Sequence, residues 1–230
     1  MRDDGSVVAA EVARFDALAA RWWDPRGPMR PLHQMNPLRV GWIDQRIGRR
    51  QWLLDIGCGA GLAAEALARR GHDVLGLDAA QEAIAVARAH AAGQGLTLAY
   101  RGIAAEALLA EGARFQVVTA LEVIEHVADP AAFLRTLAAL LEPGGRLFVS
   151  TLNRTRRSYA TAILGAERVL RLLPVGTHEW RRFVTPVELD GLLRAAGLRL
   201  ADVAGMVPDL KGGWRTSRDT NVNYIAEAAA

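Results

Sequence analysis

Two carboxylates and an imidazole near the middle of the chain are of the types that carry out acid–base or metal chemistry. Glu122, Glu125 and His126 directly follow an apolar run at residues 115–121. If this segment turns helically, all three side chains can face one point, because residues three and four apart share a helix face. The two carboxylates could hold a hard cation such as Mg²⁺, although imidazole is a less natural ligand for that metal. Alternatively, His126 could be a general base that one Glu orients, or the segment could be an acidic helix start with a capping His.

A glycine-rich loop supplies a second candidate site. Asp55 ends an apolar run, and Gly57, Gly59 and Gly61 follow at alternate positions before a helical pattern. This order predicts a buried strand, a tight turn and a helix whose free N–H groups point at a ligand. The spacing differs from the G-x-G-x-x-G of dinucleotide enzymes. With Asp55 two residues before the first glycine, the loop resembles the nucleoside-binding loop of S-adenosylmethionine (SAM)-dependent methyltransferases, which makes these four residues candidate cofactor-binding residues.

A further carboxylate closes the next predicted strand. Asp78 ends residues 72–78, about twenty residues beyond the glycine loop, where doubly wound nucleotide-binding folds place an acid that accepts both ribose hydroxyls. Two adjacent hydroxyl donors are matched by the two oxygens of one carboxylate. An Asp at a strand end can also be a simple helix cap. No obvious acid for the adenine amino group follows the third strand, so that contact could come from the backbone near Ile103 and Ala104.

The pattern of the first 48 residues predicts an N-terminal helical cap on the domain. Residues 11–23 carry apolar side chains at helical spacing, and this helix could either cover the sheet or close the ligand site. Asn36 can cap a helix that begins with Pro37. Arg39 would then lie in the first turn, where a cation is disfavoured, so we expect an anionic partner. That partner could be a surface carboxylate or the carboxylate of a bound amino-acid moiety.

Strand and helix patterns alternate through most of the chain, which predicts a parallel sheet with helices on both faces. The chain is predicted to end with a helix, a strand, a loop over residues 206–220 and a strand over residues 221–226. This order indicates that the last strand inserts antiparallel into the sheet. We therefore predict an α/β fold with the doubly wound, Rossmann-like sheet of class I methyltransferases. Predicted strands cover residues 52–55, 72–78, 96–100, 115–121, 146–151, 198–203 and 221–226, and predicted helices cover residues 62–70, 81–92, 103–110, 130–141 and 186–196.

Residues 152–186 interrupt this alternation with a basic amphipathic insert. A helical run is predicted at residues 159–173, and the insert carries seven Arg but only two Glu. Such a segment is typical of an interfacial element attracted to anionic lipid. A lid over the substrate, a dimer interface and incidental nucleic-acid binding are alternatives. Arginines without interleaved aromatic residues argue against single-stranded nucleic acid.

Composition limits the class of protein. The 230 residues are 51% hydrophobic and 23% charged, which indicates one globular domain, residues 1–230. The single cysteine, Cys58, excludes a disulfide framework and is expected in a reducing cytoplasm, and its place in the glycine loop suggests packing. The start of the chain lacks a signal-peptide pattern, and no apolar run approaches the length of a membrane span. We therefore expect neither secretion nor a spanning segment.

The sequence resembles the ubiquinone-biosynthesis O-methyltransferases over nearly its whole length. Besides the general SAM loop, the resemblance is carried by Phe15 with Arg21-Trp22-Trp23-Asp24, Pro31-Leu32-His33, Asn36-Pro37-Leu38-Arg39, Glu122-x-x-Glu125-His126, Ser150-Thr151-Leu152-Asn153-Arg154, Gly176-Thr177-His178 and Val222-Asn223-Tyr224. One departure is Ala60, where some members have a fourth glycine.

The resemblance implies methyl transfer from SAM to a phenolic oxygen of polyprenylated catechol intermediates, at two steps of the pathway. It implies that Arg39, Gly57, Asp78 and the backbone at Leu121 hold SAM, and that Glu122, Glu125 and His126 are associated with a divalent metal such as Mg²⁺. Without metal, His126 is the expected base, with Glu125 beside it as a second catalytic candidate. The resemblance also implies a cytoplasmic enzyme peripheral to the inner face of the membrane, in contact with anionic lipid, with a ubiquinone-biosynthesis complex as a further possible partner.

Three alternatives differ in class. The protein could be a methyltransferase of a soluble metabolite, an NAD(P)-binding reductase, or a non-catalytic SAM-binding partner in a biosynthetic complex. The loop spacing and the antiparallel last strand oppose the reductase.

Overall fold

The computed structural model describes residues 5–161, 180–210 and 212–230. Its strands are β1 Trp52–Ile56, β2 Asp73–Asp78, β3 Ala99–Gly102, β4 Phe115–Leu121, β5 Leu141–Leu152, β6 Arg199–Pro208, β7 Trp214–Ser217 and β8 Asn223–Ala229. Its helices are α1 Ala9–Leu18, α2 Arg30–Ile47, α3 Leu62–Ala68, α4 Gln81–Gly93, α5 Ala105–Ala110, α6 Pro130–Ala139, α7 Arg156–Ser158 and α8 Pro186–Ala195. The predicted helix at residues 159–173 and the Gly176–His178 motif lie largely or wholly outside the described residues.

The eight strands form one sheet in the order β3-β2-β1-β4-β5-β8-β6-β7. The pairs that join β3, β2, β1, β4 and β5 are parallel, whereas β8 pairs antiparallel with both β5 and β6. The predicted doubly wound sheet with an inserted antiparallel last strand is therefore confirmed.

Two hydrophobic clusters lie on opposite faces of this sheet, because successive strand side chains alternate in direction. In β1, Leu54 belongs to one cluster with α5, α6 and α8, while Leu53 belongs to the other with α2, α3 and α4. Tyr224 of β8 is fully buried in the first cluster, and its hydroxyl donates to the Val184 carbonyl at 3.0 Å. Helices thus cover both faces and hold the carboxyl ends of the parallel strands at one edge.

The start of the second helix differs from the prediction. Helix α2 runs without a break from Arg30 to Ile47, so Pro37 lies inside it and Asn36 caps nothing. Pro31 occupies the first turn, where its missing N–H costs no hydrogen bond. Asn36 instead donates its side-chain amide to the Leu62 carbonyl at 2.9 Å, at the beginning of α3.

The C-terminal loop prediction was wrong in part. Residues 206–220 were predicted as a loop, but β6 extends to Pro208 and β7 follows as its hairpin partner. Gly212 and Gly213 have positive φ angles of 92° and 82° between these strands, a conformation that glycine adopts without a steric cost. The hairpin brings Trp214 to the edge of the ligand cavity described below.

Candidate active site

A cavity of about 370 Å³ opens beyond the carboxyl ends of the parallel strands. Gly57, Asp78 and Leu121, which follow or end β1, β2 and β4, lie in its wall together with Phe15 of α1 and Leu32 of α2. Ligands of doubly wound sheets bind at this edge, because loops from neighbouring strands converge there. Ile103 and Ala104, predicted as possible adenine contacts, also line the cavity.

The glycine loop has a backbone that other residues do not readily adopt. The φ angles of Gly57, Gly59 and Gly61 are 65°, 52° and 91°. A Cβ atom on Gly57 would lie 2.5 Å from a methyl carbon of Val123, and one on Gly59 would lie 2.0 Å from the ring of Trp22. Both contacts are far closer than van der Waals packing allows, so the loop requires glycine on conformational and steric grounds.

Asp78 lies beside this loop, as its spacing predicted. Its Oδ2 accepts a hydrogen bond from the Gly59 N–H at 2.8 Å, and its Oδ1 accepts one from the Ala80 N–H at 2.9 Å. Burial raises the pKa of this carboxyl, and the two backbone donors act against that rise. The carboxylate therefore contacts the glycine loop and also borders the cavity.

Asp55 lies buried in β1, two residues before the glycine loop. Its Oδ1 accepts a hydrogen bond from the Thr119 hydroxyl of β4 at 2.6 Å. Desolvation raises the pKa of Asp55 to about 6. Asp55, Gly59 and Gly61 are not among the described residues that line the cavity, whereas Gly57 is.

Arg39 is buried in the middle of α2, not in a first helical turn. Its Nη1 lies 3.7 Å from Glu122 Oε1, so Arg39 does have an anionic partner, although the predicted reason, a place in the first helical turn, is wrong. Burial lowers the pKa of Arg39, and the charge of Glu122 opposes that change. Its Nε and Nη1 have no hydrogen-bond partner within the described part of the chain, and Arg39 is not among the described residues that line the cavity.

Glu122 has a positive φ of 58°, the only such value among the described residues other than glycine. Its amide donates to the Ser150 carbonyl at 2.9 Å, and its side chain accepts from the Ser150 hydroxyl at 2.7 Å. These two bonds to β5 offset the strain of the left-handed conformation. They also direct the Glu122 carboxylate toward β5 and Arg39.

The three residues of the predicted metal set have different partners. Glu125 is buried, and both burial and the charge of Glu122 raise its pKa. His126 ends a short 3-10 turn, Ile124–His126, and its Nδ1 lies 2.7 Å from Glu11 Oε2. Within residues 5–161, 180–210 and 212–230, no group of three or more His, Cys, Asp or Glu side chains is placed to hold a metal ion. All three residues line the cavity, and the charges of Glu122 and His126 both act on the pKa of Glu125, but as placed they do not form a Mg²⁺ site.

Glu11 was missed by the sequence reasoning. It lies on α1, and hydrogen bonding to His126 lowers the pKa of its carboxyl. Its carboxylate also pairs with Arg14. Phe15, four residues later on the same helix face, packs its ring edge-on against His126 with centroids 5.3 Å apart. The available signal was an acid among the apolar positions of a predicted amphipathic helix.

Comparison with known proteins identifies the chain as similar to methyltransferases. A family model described as a methyltransferase domain matches residues 3–203. The ubiquinone biosynthesis O-methyltransferase of Methylobacterium nodulans is 50% identical, over 97% of this chain and 95% of that protein. The protein of the same name from Stutzerimonas stutzeri is 48% identical, over 96% of this chain and 97% of its own length.

Solved structures agree in fold. The magnesium protoporphyrin IX methyltransferase of Synechocystis PCC 6803, with bound SAH, has a TM-score of 0.68 at 22% identity and covers 94% of each chain. The 1,6-didemethyltoxoflavin-N1-methyltransferase of Burkholderia thailandensis has a TM-score of 0.64 at 21% identity, over 96% of this chain and 88% of that one. At this level of identity, the structures support the fold alone. Together with the sequence relatives, they lead to one conclusion: the chain is a methyltransferase-domain protein and belongs to the ubiquinone biosynthesis O-methyltransferases.

Proposed function

We propose that the protein transfers a methyl group from SAM to a phenolic hydroxyl of polyprenylated catechol intermediates, at both O-methylation steps of ubiquinone biosynthesis. The observation that carries the proposal is one continuous cavity lined by Gly57 of the glycine loop, by Asp78 and by His126. A cofactor bound at the loop and an acceptor beside His126 would share that space. Its mostly apolar wall, which includes Phe15 and Met35, suits an aromatic ring with an isoprenoid tail.

The residues present fit SAM. Gly57 brings backbone without a Cβ to the cavity wall, and Asp78 offers two carboxylate oxygens there for the ribose hydroxyls. Leu121 borders the same space, and Arg39, although not among the described lining residues, is paired with Glu122, which does line it. When bound, SAM supplies a methyl group on a sulfonium sulfur that leaves as a neutral thioether.

The protein's own task is to align the acceptor oxygen and to remove its proton. In our proposal, Glu11 accepts the Nδ1–H of His126, which leaves Nε2 with the lone pair. His126 then takes the phenolic proton as the oxygen forms its bond to the methyl carbon. Burial and the neighbouring Glu122 charge raise the pKa of Glu125 to about 7, so its negative charge is reduced at neutral pH.

Contact with an anionic membrane surface is part of the proposal, because a long isoprenoid tail is nearly insoluble in water. No helix among the described residues is long and apolar enough to cross a membrane. The insert contributes positive charge, since it carries seven Arg and two Glu. Among its described residues Arg156 and Arg181 are exposed, and Tyr159 and the nearby Val187 expose apolar surface. Co-sedimentation with phosphatidylglycerol vesicles, weakened by added salt and absent with neutral phosphatidylcholine vesicles, is the expected result.

The test of the activity is transfer of label from SAM to a short-tailed prenyl catechol, with and without a chelator. We expect a labelled methyl ether in both conditions and a loss of at least about 100-fold in kcat for His126→Ala, with the Kd of SAM unchanged. Glu11→Gln should lower kcat less, because it keeps a side chain of the same shape. Transfer abolished by chelation would refute His126 as the base.

The same assay separates the remaining alternatives. Transfer to a soluble metabolite but not to the prenyl catechol would indicate a methyltransferase of another acceptor. SAM binding without transfer to any acceptor would indicate a non-catalytic SAM-binding subunit. Neither result would change the fold.

A further inference from the structure

We infer that Asn223 binds the methyl acceptor, with its side-chain Oδ1 accepting a hydrogen bond from a hydroxyl of the catechol ring. This inference rests on the proposed function for the identity of the acceptor. Asn223 is the first residue of β8 and lies in the cavity wall, but nothing in the chemistry described so far uses it.

The sheet order separates an acceptor end of the cavity from a cofactor end. Asp78 ends β2, and the antiparallel β8 begins at the same edge, where Asn223 pairs with Leu152 at the end of β5. Strands β1, β4 and β5 lie between β2 and β8. Four strand spacings make the two positions roughly 19 Å apart along the edge. A ribose held at Asp78 and a methionine moiety near Leu121 of β4 leave the β5–β8 side for the acceptor.

The side chain of Asn223 uses only part of its hydrogen-bonding capacity. Its side chain is only 4% exposed, and its Nδ2 donates to the thioether sulfur of Met35 at 3.3 Å, which is a weak acceptor. Its Oδ1 has no hydrogen-bond partner among the residues that the structure describes. A buried amide oxygen without a partner is destabilising, and such a group at a cavity wall is explained by a ligand that donates to it.

The surroundings fit an aromatic ring that carries hydroxyl groups. Met35, Leu152, Trp214 and Val222 line the cavity with Asn223, and their side chains are apolar over most of their surface. Trp214 reaches this position only through the β6–β7 hairpin. A single polar group in an apolar wall fixes the orientation of a bound ring, because the hydroxyl of the ring must point at that group to form a hydrogen bond.

Asn153 provides a matched control. It is also buried, at 6% exposure, and its Oδ1 likewise has no partner within the described ranges. It follows Leu152 and lies next to Val222, to whose carbonyl its amide donates at 2.9 Å. Asn153 is not among the described residues that line the cavity, so its replacement perturbs the same region without touching the proposed subsite.

The experiment measures binding of a short-tailed prenyl catechol to the full-length protein saturated with S-adenosylhomocysteine, by titration calorimetry. Asn223→Leu should raise the Kd of the catechol at least about tenfold, while Asn223→Asp, which keeps an acceptor oxygen, and Asn153→Leu should stay within about threefold of wild type. The Kd of S-adenosylhomocysteine should not change in any variant. A dimethoxy analogue without hydroxyl donors should bind wild type and Asn223→Leu equally.

Equal catechol affinity of wild type and Asn223→Leu would overturn the inference, as would a loss of the same size in Asn153→Leu. No catechol binding by wild type would overturn it as well. If Asn223→Leu does not fold, as judged by thermal melting, Asn223→Ala replaces it in the same comparison. If wild type binds the catechol but transfers no methyl group, the proposed function fails, while the binding data still decide the role of Asn223.

Discussion

Replacing Asp55 with Asn should stabilise the protein above pH 6, although Asp55 lies under the ligand site. The carboxyl is buried, one oxygen accepts the Thr119 hydroxyl, and the other oxygen has no hydrogen-bond partner among the described residues. The asparagine oxygen can keep the bond from Thr119, and the neutral amide removes a buried charge. The net change in free energy of unfolding therefore follows the ionisation of Asp55.

The size of the effect follows from the pKa. Folding raises the pKa of Asp55 from its ordinary value of 3.8 to about 6, so the folded state binds more protons between these values. Below pH 3.8 Asp55 is protonated in both states and does not lower the free energy of unfolding. As the pH rises from 3.8 to 6, the free energy of unfolding falls, because the unfolded state ionises first. At about 1.36 kcal/mol per pKa unit, the charged carboxylate costs about 3 kcal/mol at pH 8 and about 1.6 kcal/mol at pH 5. Asp55→Asn should gain these amounts.

Urea unfolding of wild type and Asp55→Asn at several pH values between 5 and 8, without cofactor, measures the difference. Asp73→Asn is the control, because Asp73 begins the neighbouring strand β2 but is held by Arg50 at the surface, which lowers its pKa. Its variant should lose stability at neutral pH rather than gain it. A gain for Asp55→Asn that does not grow between pH 5 and pH 8, or a loss at pH 8, would refute the reasoning.

Two further substitutions test the cofactor end of the site. Gly59→Ala places a methyl group 2.0 Å from the Trp22 ring at a φ of 52°. Thermal melting should therefore show a loss of unfolding free energy on the order of 1–3 kcal/mol. Gly41→Ala is the control and should lose no stability, because its added Cβ meets open space. Unchanged stability of Gly59→Ala would contradict the packing argument. Asp78→Asn should raise the Kd of SAM at least about tenfold in a calorimetric titration, because one acceptor oxygen is lost, and the exposed Glu82→Gln should not. Equal affinities would exclude a ribose contact at Asp78.

The cofactor end of the site could be read from local sequence. The glycine loop follows one predicted strand and Asp78 ends the next, and Gly57 and Asp78 both lie at the cavity. Asp129, directly before Pro130, caps α6 by accepting hydrogen bonds from the Ala131 and Ala132 amides. These features depend on a few consecutive residues, and a doubly wound sheet brings strand ends to one edge whatever the details of packing.

The acceptor end could not be read in the same way. Helical spacing placed Glu122, Glu125 and His126 on one face; all three do line the cavity, but Glu122 is hydrogen-bonded to Ser150 and His126 contacts Glu11. The residue that pairs with His126 is Glu11 of helix α1, which precedes all the strands of the sheet. No local pattern specifies such a pair.

The amino-acid sequence by itself determined the class of fold, the family and the loop that can hold a cofactor, because periodicity, glycine spacing and strand-end acids are local properties. Only the tertiary structure decided that Glu11 contacts His126, that Arg39 is buried against Glu122, and that Asn223 lies at the cavity wall near Trp214. These contacts join residues far apart in the chain. They depend on how helices and strands pack and on the register of the antiparallel strand β8, and a shift of one residue in that register would turn Asn223 to the opposite face of the sheet.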